Sequence, residues 1–459
     1  MEGWKDGRME GWKGGRVEGW KGGRVEGWKG GRVVLFGTPL LILYKFGRQP
    51  IGVESLYQNQ NKIVSMAEAH RIESEQEALE VARRIAEQIR PASAARDKDR
   101  RLPFEEIDWF SQSGLWGITV PKEYGGAGVS AAVFTEVVAI ISEADASLGQ
   151  IPQNHYANIE EIRLIGSEAQ KAFFFDRILK GDRLGNAAVE RSGKTILENQ
   201  TKLVPDGDGY LLTGEKFYST GALFADWVPV RVTDTDGNRV VAIVSRRSEG
   251  LTVIDDWSSF GQRTTASGTV ILKNVRVNKD QILPSYLAYR QPTTRGPFSQ
   301  IIHVAIDIGI ARAAINETVQ FVRNRSRPWI DANVERASQD PLTIYQVGEL
   351  HYQLHGAEAL MERAAAKVDR AAAVLDEPTV IVAALAVAEA KIAATDIAIL
   401  ATNRLFELAG TQSTLDKYHL DRHWRNARVH TLHDPVRWKY HAIGNFYLNE
   451  IPPPRHAWL

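Results

Sequence analysis

VVAIVSR at residues 240–246 and TVILKNVRV at residues 269–277 decide the fold class, because both carry the period-two, β-branched pattern of strands. The punctuation around them is that of hairpins: Asp206-Gly207-Asp208-Gly209 and Asp236-Gly237-Asn238. Residues 184–277 therefore read as a small antiparallel β-domain. On either side the period changes to that of helices.

Toward the N-terminus, Ser74-Glu75-Gln76-Glu77 forms a capping box, and Ala78, Ala82, Ile85, Ala86 and Ile89 make an apolar helix face that is expected to stop at Pro91. A second helix opens at Pro103 and carries Ile107 and Phe110. Two more are expected, over residues 131–144 and from Ser167 to just before Gly181. The intervening LWGITVPKEYGGAGVS, residues 115–130, is a glycine-permitted tight loop. It lacks the strand–GxGxxG–helix context of a dinucleotide site. Toward the C-terminus, helices are expected over residues 299–326, 342–375 and 378–408, with Gly410 as a C-cap. Long amphipathic helices with short joints imply an antiparallel bundle. The expected architecture is α+β: a helical domain over 66–183, a β-barrel-like domain over 184–296 and a four-helix bundle over 297–459.

The bundle's closing segment is HLDRHWRNARVHTLHDPVRW, residues 419–438, read as one helix. It gathers Arg422, Arg425, Arg428, His423, His430, His433, Asn426, Asp434 and Trp424. Such a density of guanidinium and imidazole calls for an anionic or redox-active ligand. GEKFYSTGALFAD (214–226) and DDWSSFGQRTTASG (255–268) are dense in hydroxyls and amides, which suits hydrogen bonding to a planar heterocycle. Taken on the residues alone, His430 and His433 read as structural or interfacial, and Asp434, before Pro435, as a turn residue. His351 and His355, like His419 and His423, share a helix face, but no Glu precedes a His by three residues as di-iron bundles require. No metal is expected.

The chain has 459 residues, zero formal net charge and a pI near 7.2, so no overall field recruits nucleic acid or an anionic membrane. The absence of cysteine excludes disulfides, thiolate metal sites and cysteine nucleophiles, and fits a reducing cytoplasm. Residues 1–32 are four near-identical octapeptides with neither helix nor strand periodicity. The apolar run VVLFGTPLLILY at 33–44 is too short to span a membrane. Residues 1–65 are expected to be a disordered or mis-assigned extension, with Met66 as the start.

The order of these segments resembles the acyl-CoA dehydrogenase superfamily. LPFEEIDWFSQSGLWGITVPKEYGGAGVS, GEKFYSTGALFAD, the arginines from Arg323 to Arg327 and ELAGTQ (407–412) carry the resemblance. GQIPQNH (149–155), GNAAVE (185–190), DDW (255–257), SRPW (326–329) and WRNARVHTLHDP (424–435) are similar to the superfamily's flavin-dependent monooxygenases, including those of organosulfur metabolism. The resemblance implies reduced FMN supplied by a separate NAD(P)H-dependent flavin reductase. It also implies O2 addition to form a C4a-hydroperoxyflavin, and transfer of one oxygen to a small organosulfur substrate within a homotetramer.

By the same resemblance, His433 assists the peroxide as proton donor, and Ser219, Thr220 and Asn186 hydrogen-bond the flavin ring. Lys216, Tyr218 and Trp257 join the cofactor site, and His155 lines the substrate side. Arg327, with Thr411 and Gln412 from another subunit, clamps the phosphate. Thr220, Asn186 and His155 are counted with His433 as catalytic candidates. The alternatives are an FAD-dependent acyl-CoA dehydrogenase and a non-catalytic binding protein of the same fold. N-terminal sequencing of the native protein is expected to begin near Ala67, and intact octapeptides there would refute the assignment of Met66.

Overall fold

Ser74 starts the first helix, its hydroxyl accepting from the Glu77 N–H at 3.1 Å. In this computed structural model, which describes residues 69–191 and 200–459, helix α1 spans Glu75–Asp99. The octapeptides and Met66 lie outside the described residues. Contrary to the sequence expectation, α1 runs straight through Pro91. A mid-helix proline costs about 3 kcal/mol. Burial of the turn beyond it opposes that cost. Arg96 is only 1% exposed and donates to Asp145 Oδ2 (2.8 Å), Glu106 Oε1 (2.8 Å) and the Ile89 carbonyl (2.6 Å).

Helices α2 (Phe104–Gln112), α3 (Ala131–Ala144), α4 (Ala146–Gln150), α5 (Gln153–Ile165) and α6 (Glu168–Leu179) follow. Asp145 serves two elements at once: Oδ1 caps α4 by accepting from Ser147 and Leu148, while Oδ2 holds Arg96. Helix α5 is not legible in the sequence as a helix because its buried face is polar. Gln153, His155, Asn158, Glu160 and Glu161 all point inward beside Tyr156, Ile159 and Ile162.

The strands are β1 (Lys202–Asp206), β2 (Gly209–Lys216), β3 (Trp227–Thr233), β4 (Arg239–Ser245), β5 (Leu251–Ile254), β6 (Thr269–Val277) and β7 (Ile282–Leu283). They form one sheet in the order β5-β6-β2-β1-β3-β4-β7. The two Gly-containing turns do close hairpins, with Asp206 opposite Gly209 and Thr233 opposite Arg239. The sheet is mixed rather than purely antiparallel, because β1 meets β3 in parallel at Lys202 and Thr233. Inward-facing Val230, Val232, Val244, Leu272 and Val275 make its own apolar core. Val241, Ile243 and Leu283 face the other way and join the helical core.

Helices α7 (Arg295–Asn324), α8 (Pro341–Ala373) and α9 (Glu377–Ala409) are the long members of the C-terminal half. Among the described residues α7 is the one helix long and apolar enough to cross a membrane, yet its most apolar window is 94% buried inside the protein. It is the central core helix. The arginine- and histidine-rich segment is two helices, not one: α10 (Asp421–His430) and α11 (Arg437–Asn449). Pro435 has no N–H to continue the first helix and disfavours helical backbone at Asp434. The turn that results carries His433.

Replacing Arg96 with alanine removes the cation facing buried Asp145 and leaves buried Glu106 with Arg101 alone, and we expect a loss of about 3–5 kcal/mol in unfolding free energy. Chemical denaturation of Arg96→Ala measures it, and a midpoint within error of the wild type would refute this account of how α1 survives its proline.

Candidate functional site

Strand β2 delivers the first loop of the site. After Lys216 the chain pairs once more, Phe217 N–H to the Val189 carbonyl at 2.8 Å, and then turns at Tyr218, whose φ of 54° is left-handed. Asn186 Nδ2 donates to the Tyr218 carbonyl at 3.1 Å and pins that strained peptide. The second loop, between β5 and β6, is laced to the first. Ser219 N–H donates to Gly268 at 3.2 Å, and the hydroxyls of Thr220, Ser267 and Thr265 form a chain with 2.7 Å links.

Trp257 Nε1 donates to the Gln262 carbonyl at 2.9 Å, and its ring meets Tyr218 edge-on at 6.0 Å. Tyr218 is 53% exposed, so these two rings form an aromatic rim. Lys216 lies beneath the loop rather than on its open face. It is fully buried and paired with Glu190 at 2.7 Å, and burial lowers its pKa. Glu190 is held at about 2: burial opposes ionisation, but Lys216, Thr201 and backbone N–H groups outweigh it. The sequence assignment of Lys216 to the cofactor is therefore corrected to a floor beneath the loop.

The second loop docks on α10. Gln262 N–H donates to Asn426 Oδ1 at 2.7 Å, and a Cβ on Gly261 would sit 2.0 Å from the Arg425 carbonyl oxygen. Arg425 is committed to Asp97 (2.5 Å), Asp421 (2.7 Å) and the Phe260 carbonyl (2.8 Å), and Arg422 to Glu317 (3.0 Å). These two arginines hold the fold together.

His433 stands in the α10–α11 turn with its side chain 34% exposed, and Nδ1 is 3.2 Å from Asp434 Oδ1. Its ring lies 3.9 Å from that of His303 on α7, tilted by 33°. Asp434 is buried, and its other oxygen is 3.0 Å from Lys439 Nζ. Burial would raise the Asp434 pKa, but His433 and Lys439 hold it far below the usual carboxylate range. A carboxylate so engaged orients its neighbours and is poorly placed to abstract a substrate proton. Behind His433 lies a group the sequence reading did not find. His303 Nδ1 is 3.1 Å from His430 Nε2, and His430 Nδ1 is 2.5 Å from Asp307 Oδ1. Asp307 Oδ2 takes Lys391 at 2.5 Å and Thr395 at 3.2 Å. His303 and Asp307 sit at i and i+4 within the otherwise apolar run of residues 301–311, and that spacing is the signal the sequence offers.

His155 is corrected outright. It is fully buried, with Nε2 2.9 Å from the Trp116 carbonyl and Nδ1 accepting from Leu184 N–H at 3.0 Å. Both nitrogens are spent on backbone, so it joins α5 to the loops and cannot face a substrate. Arg327, Thr411 and Gln412 are exposed, and the segments carrying them meet within a single chain. Ser326 Oγ donates to Ala409 at 3.1 Å, and Arg325 and Gln412 both reach the Tyr418 hydroxyl, at 3.5 and 3.2 Å. The expected division of this clamp between two subunits is therefore replaced by one cluster at one end of the bundle. Among the described residues no group of three or more His, Asp or Glu side chains converges as a metal site.

Unpaired buried groups test whether these loops suit a flavin. Ser219 Oγ, both amide atoms of Gln262 and His303 Nε2 are buried without a hydrogen-bond partner. A buried polar atom left unpaired costs about 1–3 kcal/mol, so a run of them marks where a ligand's donors and acceptors belong. An amide presents a donor and an acceptor side by side, as the pyrimidine edge of an isoalloxazine does. With the Tyr218–Trp257 rim for its plane, the set fits. Gln262 was not singled out from sequence, where it read as one more polar residue in a polar loop.

Comparison with known proteins gives a consistent picture. Residues 72–182 match the acyl-CoA dehydrogenase N-terminal domain and residues 301–438 the acyl-CoA dehydrogenase C-terminal domain. The chain is 33% identical over 391 residues to dibenzothiophene monooxygenase of Mycolicibacterium goodii, covering 82% of this chain and 94% of that protein. It is 30% identical over 385 residues to the probable FMNH2-dependent monooxygenase SfnC of Pseudomonas putida, covering 82% and 96%. The FMN-bound structure of TdsC from Paenibacillus sp. A11-2 superposes with a TM-score of 0.80 at 32% identity, covering 83% and 100%.

The buried histidines make a pH-dependent contribution to stability whose sign is fixed. Burial holds His155 at about 3, against about 6.5 in an unfolded chain, so below pH 6.5 the unfolded state takes up a proton that the folded state refuses. Stability should fall on acidification from pH 6.5 toward 4. Denaturation of His155→Gln at pH 7 and pH 5 should show a smaller acid loss than the wild type, and an equal or larger loss would refute this.

Proposed function

The chain belongs to the acyl-CoA dehydrogenase family, and from that premise we propose that it is a reduced-FMN-dependent monooxygenase acting on a small organosulfur compound. The observation that carries the proposal is the unpaired Ser219 hydroxyl and Gln262 amide between the aromatic rim and the helix that leads to His433. The monooxygenase relatives and the FMN-bound TdsC structure support the same reading.

Ser219, Thr220, Asn186 and Gln262 would hold the isoalloxazine, with Tyr218 and Trp257 against it. Arg327, Thr411 and Gln412, delivered together by a neighbouring subunit, would hold the phosphate, which a guanidinium and two polar side chains suit. Bound reduced FMN would supply the two electrons and the centre at which O2 is activated; one oxygen atom goes to sulfur and the other leaves as water. The protein's share is to position, to exclude water and to manage the proton. Asp434 accepts from His433 Nδ1–H, which fixes the tautomer and leaves Nε2 to take or give a proton. A separate NAD(P)H-dependent reductase regenerates the flavin, and the enzyme works as a homotetramer in the cytoplasm.

The test combines the purified chain, FMN, an unrelated NADH:FMN reductase and 18O2 with a panel of sulfides, sulfoxides, sulfones and sulfinates. A product carrying one 18O atom is expected. Absence of oxygenation across the panel, with flavin bleached instead by an acyl-CoA under nitrogen, would assign the chain to dehydrogenation. His433→Ala should lower oxygenation about 100-fold or more with the fold unchanged by circular dichroism. Gln262→Met should weaken FMN binding by about tenfold, read by fluorescence titration without turnover.

A further inference from the structure

The group behind His433 has an internal logic of proton positions. Asp307 is fully buried, and burial alone would raise its pKa, but Lys391 and His430 outweigh burial and keep it ionised. An ionised carboxylate only accepts, so the 2.5 Å contact to His430 requires a proton on His430 Nδ1. In neutral His430 that leaves Nε2 as a lone pair, so the 3.1 Å contact to His303 requires a proton on His303 Nδ1. His303 Nε2 is then bare, fully buried and without a partner. Burial first, and then the neighbouring histidines, hold His303 well below its ordinary pKa, and burial also lowers His430. Both directions favour the neutral rings that the scheme needs.

We propose that Asp307, His430 and His303 form a tautomer relay that fixes His303 in its Nδ1–H form and keeps its Nε2 a bare acceptor, in the ring that packs against His433. These three are positioning residues; they act through His433. The titratable and charged groups facing His303 are His430 and His433 with Asp434 from the α10–α11 region, Lys391 from α9 and Asp307 on its own helix, with Lys439 beyond Asp434. The two buried lysines are each paired to a carboxylate, so neither one leaves an unpaired positive charge beside His303. The bare Nε2 also restricts the ligand. Oxygens on sulfur accept hydrogen bonds and cannot pair with it. A group that pairs with it must be an O–H or N–H donor. The relay does not depend on the flavin; its value to catalysis rests on the monooxygenase reading.

Nitrogen-15 NMR of the full chain labelled at histidine tests both parts without flavin or turnover, with His303→Gln and His430→Gln giving the assignments. At neutral pH both residues should show a protonated Nδ1 and a bare Nε2. A proton on His303 Nε2, or a doubly protonated His430, would overturn the relay. Asp307→Asn combined with Lys391→Met removes both buried charges together, so neither is stranded. Its amide N–H2 turned to His430 should invert the tautomers of both rings. His303 then carries its proton on Nε2, and Nδ1 becomes the bare acceptor. Unchanged tautomers in that variant refute the relay. Failure of oxygenation alone touches only the monooxygenase reading.

Discussion

One buried carboxylate, that of Asp307, fixes how the helical half of this protein fits together. It sits on α7 with no exposure and takes Lys391 and Thr395 from α9 on one oxygen and His430 from α10 on the other. Three helices distant in sequence thus answer to the same two atoms. A carboxylate this deep is tolerated only when its partners are equally fixed, since losing one leaves an uncompensated charge worth several kcal/mol. That constraint sets the rotation of α10, and the rotation of α10 sets where the turn after it presents His433.

The same economy recurs at the junction of helices and sheet. Glu161 on α5 is buried between Arg231 of β3 and Arg295 at the start of α7, with Ser285 as a third partner. Burial would raise its pKa, yet the two guanidiniums hold it at about 2. Arg96 does a comparable service between α1, α2 and α3. Polar side chains buried in this way specify one arrangement of elements where apolar packing alone would allow several. They also explain why α5 escaped the sequence reading: its inward face is written in Gln, His, Asn and Glu.

What the sequence showed clearly was whatever local chemistry decides. Ser74 and Ser167 cap the helices they announce, the Asp-Gly turns close hairpins, and the long periodic stretches are α7, α8 and α9. What it hid depends on partners far along the chain. Pro91 reads as a stop because the glutamate and aspartate that hold the following turn cannot be seen from there. His155 reads as a site residue because nothing in its neighbourhood reveals two backbone groups waiting for its ring. Arg422 and Arg425 read as anion binders for the same reason. The loops of the site were legible as polar, while the particular unpaired atoms at Ser219 and Gln262 emerged only from the packing around them.

Gly261 carries a consequence for how such a site can change over time. The second loop lies so close to α10 that any side chain there would strike the Arg425 backbone. The seam between sheet and helix therefore leaves no room for a side chain at this position. Diversity has to be written elsewhere. Tyr218, largely exposed, and the half-buried Trp257 stand at the open edge, where size and shape can vary without disturbing the seam. The architecture separates a tightly packed seam from an open rim.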